Sequence, residues 1–217
     1  MLAGAIFDLD GVLADTEHLW EESWQGYVAS VGAAWKPEYS PAMQGMSSPE
    51  WARYLAGQVG RAPDAEQVRR RCIDHVVAAI DAGRGPLMDG ARELVDALAD
   101  RLPLGLASSA AREVIDQVLS SNGLTTTFRA TVSSEEVARG KPAPDVYLEA
   151  VRRVGFDGPG LAFEDSSNGI RSAHAAGLYV IAIPNRQYPP VADALALADY
   201  VATDHGDARV HALTQLT

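Results

Sequence analysis

The sequence contains little cysteine and no long hydrophobic run. Its single cysteine, Cys72, excludes an internal disulfide and a zinc site built from several cysteines. No uninterrupted apolar stretch approaches the roughly 18 residues of a membrane span, and the short apolar start lacks the basic flank of a signal peptide. We therefore expect a cytoplasmic protein that does not enter a membrane.

Positive charge is also scarce. Lysine and arginine number 18 against 29 aspartates and glutamates, which gives a formal net charge of −11 at pH 7. An acidic body repels phosphate backbones, so nucleic acids and anionic membranes are poor partners, and an anionic substrate requires local cations or a metal. The chain uses arginine for most of its cations, and its two lysines are Lys36 and Lys141.

The remaining composition is that of a globular protein. The chain has 217 residues, of which 47% are hydrophobic and 22% are charged. This length suits one large domain, or one domain with an insertion. No large apolar stripe is left over for a partner subunit, so we expect a monomer.

Short apolar runs alternate with helical patterns along most of the chain. The runs are 2–7, 102–107, 128–132, 161–163, 178–183 and the pair 200–201. Between them, apolar residues recur three and four positions apart at 91–98, 111–119, 144–154 and 170–176. This alternation predicts an α/β fold with a doubly wound, Rossmann-like parallel sheet.

Residues 15–84 break the alternation. Helical patterns at 16–31, 48–59 and 65–82 follow one another without a convincing strand. Ser48 is the expected N-cap of the second of these helices, with Pro49 at its first position, and Pro63-Asp64 is expected to begin the third. We predict a helical cap domain at 15–84, inserted into a discontinuous core domain at 1–14 and 85–217.

Polar residues follow four of the predicted strands. Ligands of an open α/β sheet bind outside the carboxyl ends of the strands, so the topology should gather these side chains at one rim. They are Asp8 and Asp10, Ser108 and Ser109, Lys141, and Glu164 and Asp165.

Four of these residues are carboxylates, and they predict a metal site. On an extended strand, Asp8 and Asp10 face the same way and repel each other unless a cation or a proton separates them. Glu164 and Asp165 add negative charge from another strand. Mg²⁺ prefers carboxylate and phosphate oxygens, so these four residues are its candidate ligands. Taken alone, the first pair also fits acids that cap a loop after a strand.

The other polar residues suit an anion. Lys141 offers a compact charge to a phosphate or a carboxylate, although a solvated loop cation is the alternative. Ser108 offers a hydroxyl to a phosphate oxygen. A serine before a helical pattern is also a common N-cap, and we favour that reading for Ser109.

In this order, the motifs resemble those of the haloacid dehalogenase-like phosphatases. The matching segments are Asp8-Leu9-Asp10-Gly11-Val12, then Ser108, then Gly140-Lys141-Pro142, then Glu164-Asp165-Ser166. The insertion after the first segment resembles the helical cap of the phosphoglucomutase-like branch. The resemblance covers essentially the whole chain.

The resemblance implies a phosphatase that acts on a small phosphate ester. Asp8 would be the nucleophile and would form an aspartyl-phosphate. Asp10 would act as an acid toward the leaving oxygen and then as a base toward water. Ser108 and Lys141 would hold the phosphoryl oxygens.

The resemblance also implies how Mg²⁺ is held. Asp8, the backbone carbonyl of Asp10 and Asp165 would be the ligands, with Glu164 nearby or acting through water. Mg²⁺ is therefore the expected cofactor.

The cap is expected to select the substrate. Candidate substrate-binding residues are Trp20, Gly45 in the cap loop, Ser109 and Arg112 at the start of a core helix. Trp20 and Trp24 lie four positions apart on one helix face, and packing between cap helices is the interpretation we favour over an aromatic wall of a pocket.

Two departures from the resemblance favour hydrolysis over phosphoryl shuttling. Sugar-phosphate mutases of this branch carry a histidine where this chain has Trp20, and an arginine where it has Ser48. Without that arginine, a second phosphate loses its clamp. The alternatives that remain are a β-phosphoglucomutase-like mutase and a non-catalytic relative that binds phosphate.

Overall fold

A six-stranded parallel sheet forms the centre of the molecule. The computed structural model describes residues 2–59 and 64–216. The strands are β1 (Gly4–Phe7), β2 (Leu104–Ser108), β3 (Ala130–Ser133), β4 (Gly160–Glu164), β5 (Tyr179–Ala182) and β6 (Tyr200–Val201). Their order across the sheet is β3-β2-β1-β4-β5-β6, and every neighbouring pair is parallel. The predicted doubly wound α/β fold is confirmed.

Helices cover both faces of the sheet, so the central strands β1, β2 and β4 are buried throughout. The inserted helices are α1 (Glu17–Ser30), α2 (Tyr39–Met43), α3 (Ser48–Gln58) and α4 (Ala65–Asp81). The others are α5 (Ala91–Ala99), α6 (Arg112–Ser121), α7 (Asp145–Val154), α8 (Ser167–Ala175), α9 (Ala192–Leu195) and α10 (His205–Thr214). A 3₁₀ turn at Ser134–Glu136 follows β3. No described helix combines the length and the apolar character that crossing a membrane requires.

Alternate residues of β1 and β4 enter two different cores. Phe7 and Phe163 stack with their ring centroids 4.5 Å apart, in the core that also contains α5, α6, α10 and the inserted helices. Ile6 and Ala162 enter the opposite core, with α7 and α8. This period of two is what fully buried parallel strands require.

Several predicted boundaries were wrong. The N-cap of α3 is Ser47, not Ser48, because Ser47 and Glu50 form a reciprocal capping box and Ser48 is already helical. Ser109 is not an N-cap either: α6 begins after Ala111, which has no side-chain cap. Asp64 caps α4 by accepting from the Glu66 amide, whereas the predicted role of Pro63 lies outside the described residues.

Three short or terminal helices were not predicted: α2, α9 and α10. The strands end within two residues of their predicted limits. Gly155 ends α7 in a left-handed conformation, with φ of 79°, which a glycine adopts without strain.

Candidate active site

The carboxyl ends of the two central strands bring the acidic residues together. β1 and β4 are neighbours in register, and the Asp8 amide donates to the Phe163 carbonyl at 3.0 Å. Asp8 follows β1, while Glu164 ends β4 and Asp165 comes next. Residues more than 150 positions apart in sequence therefore meet because parallel strands end at one rim.

Lys141 is buried between two of these carboxylates. Its Nζ lies 2.8 Å from Asp8 Oδ1 and 2.6 Å from Glu164 Oε1. Burial by itself lowers the pKa of Lys141, but the carboxylates of Asp8 and Glu164 outweigh that effect and raise it above its ordinary value. The alternative of a solvated loop cation is thus wrong, since the side chain is about 1% exposed.

The three carboxylates form a compact cluster. Oxygens of Asp8, Glu164 and Asp165 all lie within 4.8 Å of one another, and all three residues are buried. Burial, together with Glu164, raises the pKa of Asp8 to about 8, although Lys141 opposes the shift. Burial, followed by Glu17, Glu164 and Asp8, raises the pKa of Asp165 well above its usual range. The binding of either protons or a cation would therefore stabilise the cluster.

The backbone around the cluster leaves no room for extra atoms. A Cβ on Gly11 would lie 2.1 Å from Asp165 Oδ2, and Gly11 has φ of +75°. A Cβ on Gly169, in α8, would lie 1.8 Å from Glu164 Oε2. Both glycines let the backbone approach a carboxylate closely.

Asp10 occupies a different position from the other acids. It is half-buried, and its Oδ1 accepts hydrogen bonds from Thr16 Oγ1 and from Trp20 Nε1, the latter at 3.0 Å. Burial raises the pKa of Asp10, while the bonds from Thr16 and Trp20 oppose that rise. Its side chain is not among the three that cluster around a possible metal position.

The two serines at the carboxyl end of β2, Ser108 within the strand and Ser109 after it, make different contacts. Ser108 is fully buried, and its Oγ accepts from the Ala110 amide at 2.9 Å. Ser109 lines the cavity at the site, and its Oγ donates to the Gly45 carbonyl at 3.2 Å. This hydrogen bond to the Gly45 backbone connects the loop that contains Gly45 to the rim of the sheet.

Arg112 lies outside this group. Its guanidinium donates to Thr131 Oγ1 at 2.7 Å, to the Thr131 carbonyl at 3.0 Å and to Glu136. It is not among the residues that line the cavity. The structure therefore does not bring Arg112 to the site, because an acid after β3 holds it.

A cavity opens between the acidic cluster and the inserted helices. Trp20, Trp24 and Trp51 pack with their ring centroids 5.7–6.2 Å apart and form one wall. All three are buried, so Trp20 and Trp24 pack between cap helices and also line the cavity. The favoured packing between helices is observed, and a role for Trp20 in substrate binding stays a prediction.

Acidic and polar residues form the rest of the cavity wall. Glu21 accepts from Ser40 Oγ at 2.8 Å and from Tyr188 OH at 2.7 Å. Burial and the nearby Asp10 raise the pKa of Glu17 to about 7. These contacts tie the inserted helices to the loop after β5.

Three contributors were not predicted. Tyr147 OH donates to Glu164 Oε1 at 2.7 Å, and Asn185 Nδ2 reaches Asp165 Oδ2 at 3.4 Å. Tyr188 closes the cavity against Glu21. The position of Asn185 shortly after β5 was the available signal, whereas the helical pattern marks Tyr147 only as a core residue.

Comparisons with known proteins agree with this geometry. The family described as haloacid dehalogenase-like hydrolase matches residues 5–183. Protein CbbY of Rhodobacter capsulatus is 31% identical in an alignment that covers 99% of this chain and 99% of that one. Hexitol phosphatase B of Escherichia coli K12 is 31% identical in an alignment that covers 84% of each chain.

Solved structures show the same fold. CbbY from Rhodobacter sphaeroides superposes with a TM-score of 0.83 at 26% identity, covering 95% of this chain and 96% of that one. That structure contains phosphate. A second structure, of a mutant of the same protein in complex with xylulose-(1,5)bisphosphate, has the same TM-score and identity.

Proposed function

The chain belongs to the haloacid dehalogenase-like hydrolase family, and we propose that it is a Mg²⁺-dependent phosphatase of a small, sugar-like phosphorylated metabolite. The observation that carries this proposal is the buried arrangement of Lys141 between Asp8 and Glu164, beside Asp165. A buried ammonium and three carboxylates at the open end of a sheet suit a phosphoryl group held by fixed charges.

Asp8 is the proposed nucleophile. One of its carboxylate oxygens forms a bond to phosphorus as the bond between phosphorus and the ester oxygen breaks, which leaves an aspartyl-phosphate. Lys141, 2.8 Å from Asp8 Oδ1, then neutralises charge on the transferring phosphoryl oxygens. Water hydrolyses the aspartyl-phosphate and regenerates the Asp8 carboxylate.

Asp10 is the proposed acid and base. Thr16 and Trp20 both donate to its Oδ1, so the other oxygen is the one left to serve the leaving group. Because burial raises the pKa of Asp10, the carboxyl group retains a proton more readily than an exposed aspartate. It gives that proton to the leaving oxygen and later takes one from water.

The phosphoryl oxygens are held by Lys141 and by the segment after β2. Ser108 is the proposed hydroxyl contact, and its Oγ, which accepts from the Ala110 amide, keeps its own proton available to donate. Ser109 and Ala110 line the cavity beside it.

The acidic cluster fits Mg²⁺. Asp8, Glu164 and Asp165 supply hard oxygen donors, buried together, with Lys141 as their only cationic neighbour among the described cavity residues. Three carboxylates outnumber one ammonium, and burial, followed by the neighbouring acids, raises the pKa of Asp8 and Asp165. Bound there, with the backbone carbonyl of Asp10 as a further ligand, Mg²⁺ would supply charge neutralisation for the phosphate.

Hydrolysis is favoured over mutase chemistry by two residues of the cap. Trp20 donates an indole N–H to Asp10, and an indole cannot exchange a proton as a histidine does. Ser48 is fully buried at the start of α3 and offers no charge to a second phosphate. A non-catalytic phosphate-binding relative would have no need for both Asp8 and Asp10.

The test is release of inorganic phosphate from a panel of phosphate esters, including p-nitrophenyl phosphate and sugar monophosphates, with Mg²⁺ and with a chelator. We expect Mg²⁺-dependent turnover of several esters. Absence of turnover with the whole panel in Mg²⁺ would refute the proposal. Turnover only after priming with a sugar bisphosphate would identify a mutase.

A further inference from the structure

Carboxyl groups dominate the lining of the cavity beside the proposed phosphate site. Asp8, Asp10, Glu17, Glu21 and Asp165 line it, and Lys141 is the sole cation among its described lining residues. That lysine is already held between two carboxylates, so it has no surplus charge to offer a second anion. Where the leaving group would lie, the fixed charge is therefore repulsive to anions.

Glu21 adds a carboxylate to the cavity wall that does not belong to the acidic cluster of Asp8, Glu164 and Asp165. Its carboxylate accepts hydrogen bonds from Ser40, Tyr188 and Gln25, which fix it in the wall of the cavity. Arg53, by contrast, lines a neighbouring groove with Glu50 rather than this cavity. No described arginine lines the cavity where a second phosphate would lie.

The same cavity has an apolar wall with an unused donor. Trp20, Trp24 and Trp51 form one side, with Met43 and Met46 next to them. Trp20 Nε1 is bonded to Asp10, whereas the buried Trp24 Nε1 has no hydrogen-bond partner within the described residues. A buried donor without a partner is costly, and an oxygen of a bound molecule would satisfy it.

We propose that this cavity binds the uncharged, hydroxyl-bearing carbon skeleton of a phosphate monoester, with Trp24 Nε1 donating to one of its oxygens, and that it rejects a second phosphate or a carboxylate. The aromatic wall packs against the C–H faces of the skeleton, and the glutamates accept from its hydroxyls. This inference rests on the proposed phosphatase function and specifies its substrate class.

The first experiment compares a hexitol monophosphate with the matching hexitol bisphosphate, using the Mg²⁺-loaded enzyme. We expect kcat/KM for the bisphosphate to be lower by at least about 100-fold, because like charges in a shielded cavity repel strongly. Glu21→Gln should reduce the ratio of kcat/KM for the monophosphate to kcat/KM for the bisphosphate about tenfold. Glu22→Gln is the matched control, since Glu22 pairs with His75 and Arg84 outside the cavity. It should leave the ratio of the two kcat/KM values unchanged. Equal kcat/KM values for the two substrates would overturn the proposal.

The second experiment tests the indole donor. Phenyl phosphate has an apolar leaving group with no hydrogen-bonding atom beyond the ester oxygen. Trp24→Phe should lower the ratio of kcat/KM for the hexitol monophosphate to that for phenyl phosphate about tenfold, the effect of one lost hydrogen bond. Trp35→Phe is the control: Trp35 packs on Tyr39 and does not line the cavity, so the ratio should not move. An unchanged ratio in Trp24→Phe would remove the indole from the role.

Calorimetric binding separates this inference from the proposed function. The dissociation constants of the hexitol monophosphate and the hexitol bisphosphate are measured for the Asp8→Asn variant in the presence of Mg²⁺. This measurement of binding does not depend on turnover. If wild type hydrolyses no ester but Asp8→Asn binds the monophosphate more tightly than the bisphosphate, the phosphatase proposal fails and the binding preference stands. If the bisphosphate binds as tightly as the monophosphate, the binding preference fails whatever the activity.

Discussion

At the scale of single residues, the burial of Lys141 decides the chemistry of the site. A buried ammonium is stable only where carboxylates neutralise it, and Asp8 and Glu164 do so at 2.8 and 2.6 Å. The two acids depend on the lysine in turn. Removing one partner of such a group leaves charge buried without compensation, which costs more than the interaction contributes.

Lys141→Met therefore has two expected effects. Turnover of any phosphate ester should fall at least ~1000-fold, because the positive charge that stabilises the transferring phosphoryl group is lost. The free energy of unfolding of the metal-free protein should fall by about 3–5 kcal/mol. Steady-state kinetics and denaturant titration measure the two effects.

Lys36→Met is the matched control, since Lys36 is the other lysine and lies over the Tyr39 ring, 5.7 Å from its centroid. It should leave both quantities nearly unchanged. Wild-type turnover in Lys141→Met would mean that the lysine has only a structural role.

Residues that end strands were predictable, and residues that complete the site from helices were not. Asp8, Lys141, Glu164 and Asp165 come together because each follows a strand, and sequence position alone indicates that. Tyr147 reaches Glu164 from the buried face of α7, where the periodicity is the same for a core tyrosine and a hydrogen-bond donor. Such partners depend on tertiary packing.

At the scale of elements, helix α8 is packed against the active-site carboxylate. A Cβ on Gly169 would overlap Glu164, and the Asp165 amide donates to the same carboxylate at 3.2 Å. Ser166 caps the helix by accepting from the Gly169 amide. The first turn of α8 thus fixes where Glu164 can lie.

Gly169→Ala should displace Glu164 or α8. We expect a loss of about 1–3 kcal/mol in the free energy of unfolding, as for other overpacked sites, and an activity loss of at least ~10-fold as Glu164 moves relative to Lys141. Thermal melts and phosphate release measure these effects.

Gly57→Ala provides the control within α3, because nothing lies within 4 Å of a Cβ there. It should stabilise the protein by at most about 0.5–1 kcal/mol, the gain in a helix interior, because Gly57 lies in the last turn of α3. If Gly169→Ala and Gly57→Ala change the free energy of unfolding and the activity equally, the close packing of α8 on Glu164 does not constrain residue 169.

Long periodic elements were predictable, whereas their caps and short helices were not. The hydrophobic pattern gave α1, α3 and α4 within about two residues. α2 has five residues with Pro41 inside it, too few for a periodic signal. The Ser48-Pro49 pair indicated an N-cap one residue too late, so the capping box of Ser47 and Glu50 was not predicted. The division into a core at 1–14 and 85–217 and a cap at 15–84 stays a prediction.

At the scale of the whole molecule, the buried acids link stability to pH and to metal. In the folded chain, burial and Glu164 raise the pKa of Asp8 to about 8 from an ordinary 3.8, despite Lys141. Glu17 shifts in the same direction, to about 7. Between the ordinary and the raised values, the folded chain holds protons that the unfolded chain has released. The free energy of unfolding therefore falls as pH rises through this window.

The metal-free protein should lose at least about 3 kcal/mol of stability between about pH 5 and pH 8. Added Mg²⁺ competes with protons for the same oxygens, so it should raise the Tm more at pH 8 than at pH 5. Thermal melts with a chelator and with Mg²⁺ at both pH values measure this.

Asp8→Asn removes one of the titrating groups and should reduce the pH dependence. A Tm of the metal-free wild type that rises between pH 5 and pH 8 would contradict the burial of ionisable acids at the site.

The most direct measurement of the central claim is phosphate release by Asp8→Asn, compared with wild type and with Asp15→Asn, whose side chain is exposed beside His18. With Mg²⁺ and a hydrolysed ester, the account predicts normal release by wild type and Asp15→Asn, and none above background by a folded Asp8→Asn. Steady release by Asp8→Asn would show that phosphorus is attacked by some group other than the carboxylate at the end of β1.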